Sequence, residues 1–196
     1  MMMLFYQLLR PFGYLTIRKV KGKSLYDWII PLIISAISLL LISLSHGGMQ
    51  LAVKDGGLAS KLTGFISNLP GFYIAALAAI ATFNRAGIDN LLISNANSGV
   101  LQSPYIVVKD VKSNGIPMTI EVEITRRVFL CLLFSFLTAE SIILVIFSFF
   151  FSSLLLPANT YLCFIYLSIL LFVFWQLIVS TFFGLYYLGD RIHYNS

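Results

Sequence analysis

Residues 128–151 read VFLCLLFSFLTAESIILVIFSFFF, twenty-four positions with one acidic or basic residue, Glu140. A bilayer's hydrocarbon core is ~30 Å thick and takes about 20 apolar residues of helix to cross. This stretch is therefore a membrane span. Three more runs satisfy or approach the same criterion. Trp28–Leu44 carries no charge and has Pro31 near its start, where a missing backbone N–H costs little. Phe65–Phe83 contains Asn68 and the Pro70-Gly71 pair, which predict a kink or a short interfacial helix leading into the span. Tyr161–Leu188 ends at Gly189-Asp190 and forms a hairpin with the third span across a link around Pro157.

The composition of the 196-residue chain agrees: 59% of it is hydrophobic and 11% charged, against roughly 25% charged in a soluble domain. Ser43-Leu44-Ser45 resembles a small-residue cleavage site. The apolar run ahead of it exceeds a 7 to 15 residue signal core, so it reads as an uncleaved anchor.

Net charge is +5, and its distribution orients the chain. Eleven Lys and Arg residues fall before span one, between spans two and three, and in the tail; two, Lys54 and Lys61, fall on the other side. The positive-inside rule predicts cytoplasmic termini and a cytoplasmic middle loop. The expected fold is all-α with four transmembrane helices. Its parts are a basic interfacial arm (1–24), helices 1 and 2 with a short outer loop (25–83), a cytoplasmic loop with a β-hairpin (84–127), the helical hairpin 3 and 4 (128–188) and a cytoplasmic tail (189–196). Cys131 and Cys163 fall near opposite ends of spans three and four, too far apart for a disulfide.

The arm sets Leu4, Phe5, Leu8, Leu9, Phe12 and Leu15 ahead of basic residues. It reads as a short interfacial helix ending near Pro11. Arg10, Arg18, Lys19, Lys21 and Lys23 would then meet anionic headgroups, at about 1 kcal/mol each near the surface. A charge cluster that only fixes topology fits equally well.

In the middle loop, Tyr105–Val111 and Ile116–Thr125 flank Lys112-Ser113-Asn114-Gly115. Ile120, Val122 and Ile124 alternate with Glu121, Glu123 and Thr125, the period of a half-buried strand, and Asn114-Gly115 supplies turn geometry. Pro117 favours a strand edge. An isolated hairpin is marginally stable, so it requires a second surface: another copy, a cytosolic partner, or the loop's own first half, Gly87–Leu101. Lys109, Asp110, Lys112, Asn114, Gly115, Glu121 and Glu123 are the candidate partner-docking residues.

Within the bilayer, Glu140 lies roughly 20 Å from Arg127 at 1.5 Å per residue, near the midplane. Insertion there costs on the order of 3 kcal/mol, which makes the position functional by default. Gln176 of span four reaches the same depth, and a hydrogen bond between the two, within or between chains, would satisfy both. A structural clamp, an ion or proton pathway and a bistable switch all remain open. Gly71, Ala75 and Ala79 form a small-residue seam for close helix packing.

Catalytic signatures are absent: the sequence contains no H-E-x-x-H, C-x-x-C, phosphate-binding loop or G-x-S-x-G. His46 and His193 fall on opposite sides of the membrane. Neither an enzyme nor a cofactor is expected, and direct nucleic-acid binding is not.

The layout of basic arm, four spans with both ends inside, and the middle loop SPYIVVKDVKSNGIPMTIEVEITRR resembles the KwaA family, the membrane subunit of bacterial Kiwa anti-phage systems. That resemblance implies an inner-membrane homo-oligomer, a tetramer, which detects phage-induced membrane perturbation and engages a cytosolic DNA-binding effector of the KwaB kind. The alternative from another class is an oligomeric ion-conducting or membrane-permeabilising protein with Glu140 lining the pore.

Overall fold

The computed structural model describes residues 7–20, 22–45, 47–82, 88–92, 94–95, 101–102, 104–111, 117–154 and 160–191. Four helical segments among them are long and apolar enough to cross a membrane: Leu25–Leu44, Gly48–Thr82, Arg126–Ser152 and Thr160–Gly189.

The first begins as a π-helical turn, Leu25–Ile29, and continues as α1, Ile30–Leu44. Pro31 explains the change of winding. It has no N–H for the carbonyl of Asp27 four residues back, and its ring crowds that carbonyl, so the ladder ahead of it widens. After Leu44 the chain enters a short helix α2, Gly48–Val53, through Gly47, whose φ of 67° suits a residue without Cβ.

The second span is interrupted, as Asn68 and Pro70-Gly71 predict. Helix α3, Leu58–Ile66, ends at Ser67-Asn68, and α4, Leu69–Thr82, follows. Ser67 and Asn68 both donate side-chain hydrogen bonds to the Gly64 carbonyl, at 2.8 and 3.0 Å, closing the broken end. The span thus starts earlier than Phe65, because α3 prolongs it.

Helices α5, Arg126–Leu154, and α6, Thr160–Tyr186, are the long central pair, and α6 runs into a π turn, Tyr187–Arg191. They approach closely at Gly184, where a Cβ would meet Leu133 Cδ2 at 3.0 Å and Phe134 Cζ at 3.3 Å. Helix α1 lies on α6 and α4 on α5, so the order across the bundle is α1, α6, α5, α4. Leu130, Leu133, Leu137, Leu167 and Leu170 of the central pair are fully buried. Outward-facing Leu40, Leu41, Phe72, Phe149 and Phe150 are each more than half exposed, as a lipid-facing perimeter requires.

The middle loop forms two small antiparallel sheets. Strands β1, Ser94–Asn95, and β2, Leu101–Gln102, pair with each other. Strands β3, Tyr105–Val111, and β4, Pro117–Glu123, form the expected hairpin, with Tyr105 opposite Glu123 and Val108 opposite Ile120. Ile106 and Val122 share one face; Ile106 is buried and Val122 is 45% exposed.

The N-terminal arm departs from expectation. Residues Arg10–Thr16 wind as a 3₁₀ helix that packs into the bundle against α5. Tyr14 is fully buried, its ring 5.3 Å from Phe136 and 5.9 Å from Phe129, and Phe12 meets Phe136 edge-on at 6.0 Å. Aromatic contacts inside the protein outcompete the lipid surface for this segment. Leu4 and Phe5 lie outside the described residues.

Candidate functional site

Asp27 organises a buried polar cluster at the hairpin end of the spans. The π turn carries it, and its side chain is wholly inaccessible. A carboxylate in that position requires partners, and two side chains supply them, Tyr14 and Lys23. Tyr14 of the arm donates its hydroxyl to Asp27 Oδ1 at 3.0 Å. Lys23, one turn before Asp27, brings Nζ to 2.9 Å from Oδ2 and sits 4.3 Å above the centre of the Tyr14 ring. Ser180 of α6, fully buried, lines the same cluster, and its hydroxyl makes no hydrogen bond among the described residues. Tyr26 flanks the cluster, its hydroxyl 3.4 Å from that of Tyr14 and its ring stacked on Phe183 at 3.9 Å and 14°. Burial, with Tyr26 and Asp27 adding to it, pushes the Tyr14 hydroxyl well above its ordinary pKa, so it remains a donor at any physiological pH.

Glu140 of α5 joins this region as an electrostatic neighbour of Asp27 and of Tyr73 on α4. Its Oε2 is buried and has no hydrogen-bond partner among the described residues. The bond expected with Gln176 is therefore not made through that oxygen within the chain, although Gln176 is buried at 4% exposure. Tyr73 spends its hydroxyl on Thr181, at 2.6 Å. The two intramembrane acids thus come from different helices, α1's π turn and α5, and only Asp27 is paired.

The same arm that seals Asp27 also holds the hairpin. The Arg18 amide donates to the Tyr105 carbonyl at 3.2 Å, adding a bridge to the edge of β3. Lys19 sets its ammonium 5.0 Å from the Tyr105 ring centre, and does so from a left-handed backbone with φ 63°. A non-glycine residue in that conformation is held there by its surroundings. Gly13 stands opposite Ile106, whose Cδ1 a Cβ there would meet at 3.6 Å. The second surface the hairpin requires is thus the chain's own arm, an option the sequence reading did not include, joined by the first half of the loop. Leu92 donates to the Ile124 carbonyl at 2.9 Å, and Ile88 and Leu92 are buried.

A second clamp fixes the loop to the spans. Arg127 pairs with both oxygens of Asp89, at 2.7 and 3.0 Å, and donates to the Ile80 and Ala81 carbonyls at 3.0 and 3.3 Å, capping the end of α4. A guanidinium suits a helix C-terminus and a bidentate carboxylate at once. The Arg127 hydrogen bonds hold the Asp89 carboxyl below its usual range.

The remaining expected residues fall as follows. Gly71, Ala75 and Ala79 are exposed on the outer face of α4, and a Cβ at Gly71 would touch nothing in the chain. That face is left to lipid or to a second copy. Lys109 and Asp110 pair in register with Thr119 and Met118; Glu121 and Glu123 are exposed on β4. Lys112, Asn114, Gly115, Lys21, His46 and His193 lie outside the described residues. Of the basic residues assigned to headgroups, Lys23 is committed to Asp27, Lys19 to Tyr105, and Arg18 through its backbone to β3; Arg10 opens the 3₁₀ helix. Cys131 and Cys163 are free thiols.

Sequence reasoning missed Asp27 and Tyr14. The available signal was the spacing of Lys23 and Asp27, four residues apart and just ahead of an uncharged span, which is a helical ion pair. The Tyr14 partnership is a tertiary contact with no local signature. No protein-family model, curated protein or solved structure matches the chain.

Proposed function

We propose that this chain is a sensor and scaffold subunit of a bacterial inner membrane, with both termini and the hairpin cytoplasmic, which converts a disturbance of the bilayer into engagement of a cytosolic effector. The observation that carries this reading is the double attachment of the arm, to intramembrane Asp27 through Tyr14 and Lys23 and to the cytoplasmic hairpin at Tyr105 through Arg18 and Lys19. A change in how the spans pack around Asp27 alters the free energy of arm docking, and arm docking supports the hairpin. A membrane stress can act only through such a difference between arrangements.

The resemblance to the Kiwa membrane subunit supplies the biological setting: anti-phage defence, a homo-oligomer, here taken as a tetramer, and a DNA-binding effector of the KwaB kind. The exposed Gly71–Ala75–Ala79 face fits the homo-oligomer, and exposed Val107, Glu121, Val122 and Glu123 offer the effector its surface. In this reading the chain performs no catalysis and does not itself bind nucleic acid. Anionic headgroups remain partners of the arm's exposed basic side chains.

The test is co-purification from the native membrane with the product of the neighbouring gene. Deleting Lys109–Glu121 is expected to abolish capture of the effector while insertion continues; undiminished capture would refute the role given to the hairpin. The unpartnered Glu140 Oε2 favours one second reading, an oligomeric pore that this acid lines. Planar-bilayer recording separates them: the sensor leaves the bilayer sealed, whereas a conductance that Glu140→Ala abolishes would establish the pore.

A further inference from the structure

At the end of the bundle away from the hairpin, a crevice of about 380 Å³ opens between α3, α5 and α6, bordered by Asp55, Ser60, Thr63, Gly64, Ser67 and Ser152. A wider cavity of about 810 Å³ adjoins it through Asp55 and Ser152 and adds Gln50 and Lys54. The crevice sets these hydroxyls and one carboxylate beside apolar Val53, Ala59 and Phe149.

Most of its hydroxyl groups share one polarity. Thr63 donates to the Ala59 carbonyl at 2.9 Å and so has no proton left for Ser148, 2.6 Å away; Ser148 must be the donor in that contact. Ser148 is then spent, and in its 2.6 Å contact with Tyr166 the phenol must donate. Ser67 gives its proton to the Gly64 carbonyl at 2.8 Å, and Ser152 to that of Phe149 at 3.1 Å. Thr63, Ser67 and Ser152, their protons spent, can only accept from a ligand, while Ser60 on the same rim keeps its proton. Asp55, exposed at the mouth and without an ion pair among the described residues, adds a full negative charge.

A lining of acceptors with a carboxylate at its rim suits a ligand that is rich in donors and positively charged. Depth selects its source. Ser148 lies roughly 33 Å along α5 from Arg126, and Ser152 roughly 39 Å, at 1.5 Å per residue. With a hydrocarbon core of ~30 Å, the crevice falls at the level of the headgroups of the leaflet opposite the hairpin. Lys54, in the adjoining cavity beside Asp55, is placed for the phosphate that accompanies such an ammonium.

We propose that this crevice binds the primary-ammonium headgroup of a phospholipid of the phosphatidylethanolamine type, the ammonium between Asp55 and Ser152, which border both the crevice and the adjoining cavity, and the phosphate on Lys54. The inference is independent of the sensing role. It requires only that the four helices cross a bilayer.

The test uses the full chain in dioleoyl lipids, with retained lipid measured by native mass spectrometry after transfer to detergent. Phosphatidylethanolamine is expected at one molecule per chain, retained about tenfold better than phosphatidylglycerol, which presents no ammonium donors. Gly64→Leu fills the crevice: a Cβ at Gly64 has nothing within 4 Å and the φ is ordinary, so the side chain enters open space. That variant should lose the retained lipid. Asp55→Asn, at an exposed position with no folding role, should lower retention about tenfold while leaving the helical content unchanged. Water-soluble phosphoethanolamine that displaces the lipid assigns recognition to the headgroup alone; retention of lipid in its presence assigns it to headgroup and chains together. Equal retention of the two lipids by the wild type overturns the proposal, as does undiminished retention in either Gly64→Leu or Asp55→Asn.

Discussion

Replacing Tyr14 with Phe removes one oxygen and leaves the ring that packs on Phe129 and Phe136. What it takes away is the 3.0 Å hydrogen bond to Asp27 Oδ1, a donor to a fully buried carboxylate that is paired with Lys23. Hydrogen bonds to charged groups contribute about 1.5–3 kcal/mol, and the loss is felt in full where water cannot replace the partner. Each 1.4 kcal/mol is a factor of ten, so the undocked arm should become roughly 10- to 150-fold more populated. Arg18 and Lys19 have exposed side chains in the segment that docking holds, which makes trypsin a direct reporter. When opening and closing are fast relative to cleavage, the cleavage rate follows the open population. In bilayer nanodiscs, cleavage after Arg18 or Lys19 should therefore accelerate by at least about tenfold in Tyr14→Phe. Tyr14→Ala, which also deletes the ring and leaves a cavity, should go further, by about 3–5 kcal/mol in total as for other core aromatics. Cleavage of Tyr14→Phe at the wild-type rate would refute the claim that the Asp27 contact holds the arm.

Three further outcomes follow from other contacts. Asp89 has its carboxyl lowered by Arg127, so whatever the pair contributes is present above the ordinary carboxylate range near 3.9 and is lost as pH falls through the lowered value. The melting-temperature difference between wild type and Asp89→Asn should accordingly stay constant from pH 8 to 5 and shrink only below about 4; a change near neutrality would contradict the clamp. Gly71→Leu combined with Ala75→Leu should leave the chain folded, because both positions face outward, yet shift cross-linked oligomers to monomers. Persistence of the oligomer would remove α4 as the seam. Val122→Glu, at a position 45% exposed on β4, should weaken effector capture without changing the yield of inserted protein; unchanged capture would exclude that face.

The four spans were legible because hydropathy over twenty residues is a property of the segment itself. The break ahead of α4 was legible from Asn68, Pro70 and Gly71, which act on the backbone locally, and the hairpin from the alternation of Ile120 and Val122 with Glu121 and Glu123. What sequence could not supply were the partners that the fold brings from a distance. Phe12 is as suited to a lipid interface as to a protein groove, and only the presence of Phe129 and Phe136 at the right height decides for the groove. Asp27 sits one residue ahead of the uncharged run that begins at Trp28, and nothing local marks it as interior; the widened turn imposed by Pro31 and the approach of Tyr14 make it so. Glu140 drew attention by the depth its position in the span predicts, and its buried Oε2 has no partner among the described residues. Its expected partner, Gln176, shares that depth, but hydrogen bonding also requires the facing rotation about each helix axis, which depth does not fix.

The most direct test of coupling between the membrane interior and the hairpin is amide hydrogen exchange in nanodiscs, comparing wild type with Asp27→Asn. The Arg18 amide reports arm docking through its bond to the Tyr105 carbonyl, and the amides of β3 and β4 report the hairpin. If the arm transmits the state of Asp27, exchange should quicken together at Arg18 and along Tyr105–Val108, while the buried core of α5 and α6 stays protected. Faster exchange at Arg18 with the hairpin unchanged would contradict the account, since the arm would then be held by Asp27 without supporting anything beyond itself.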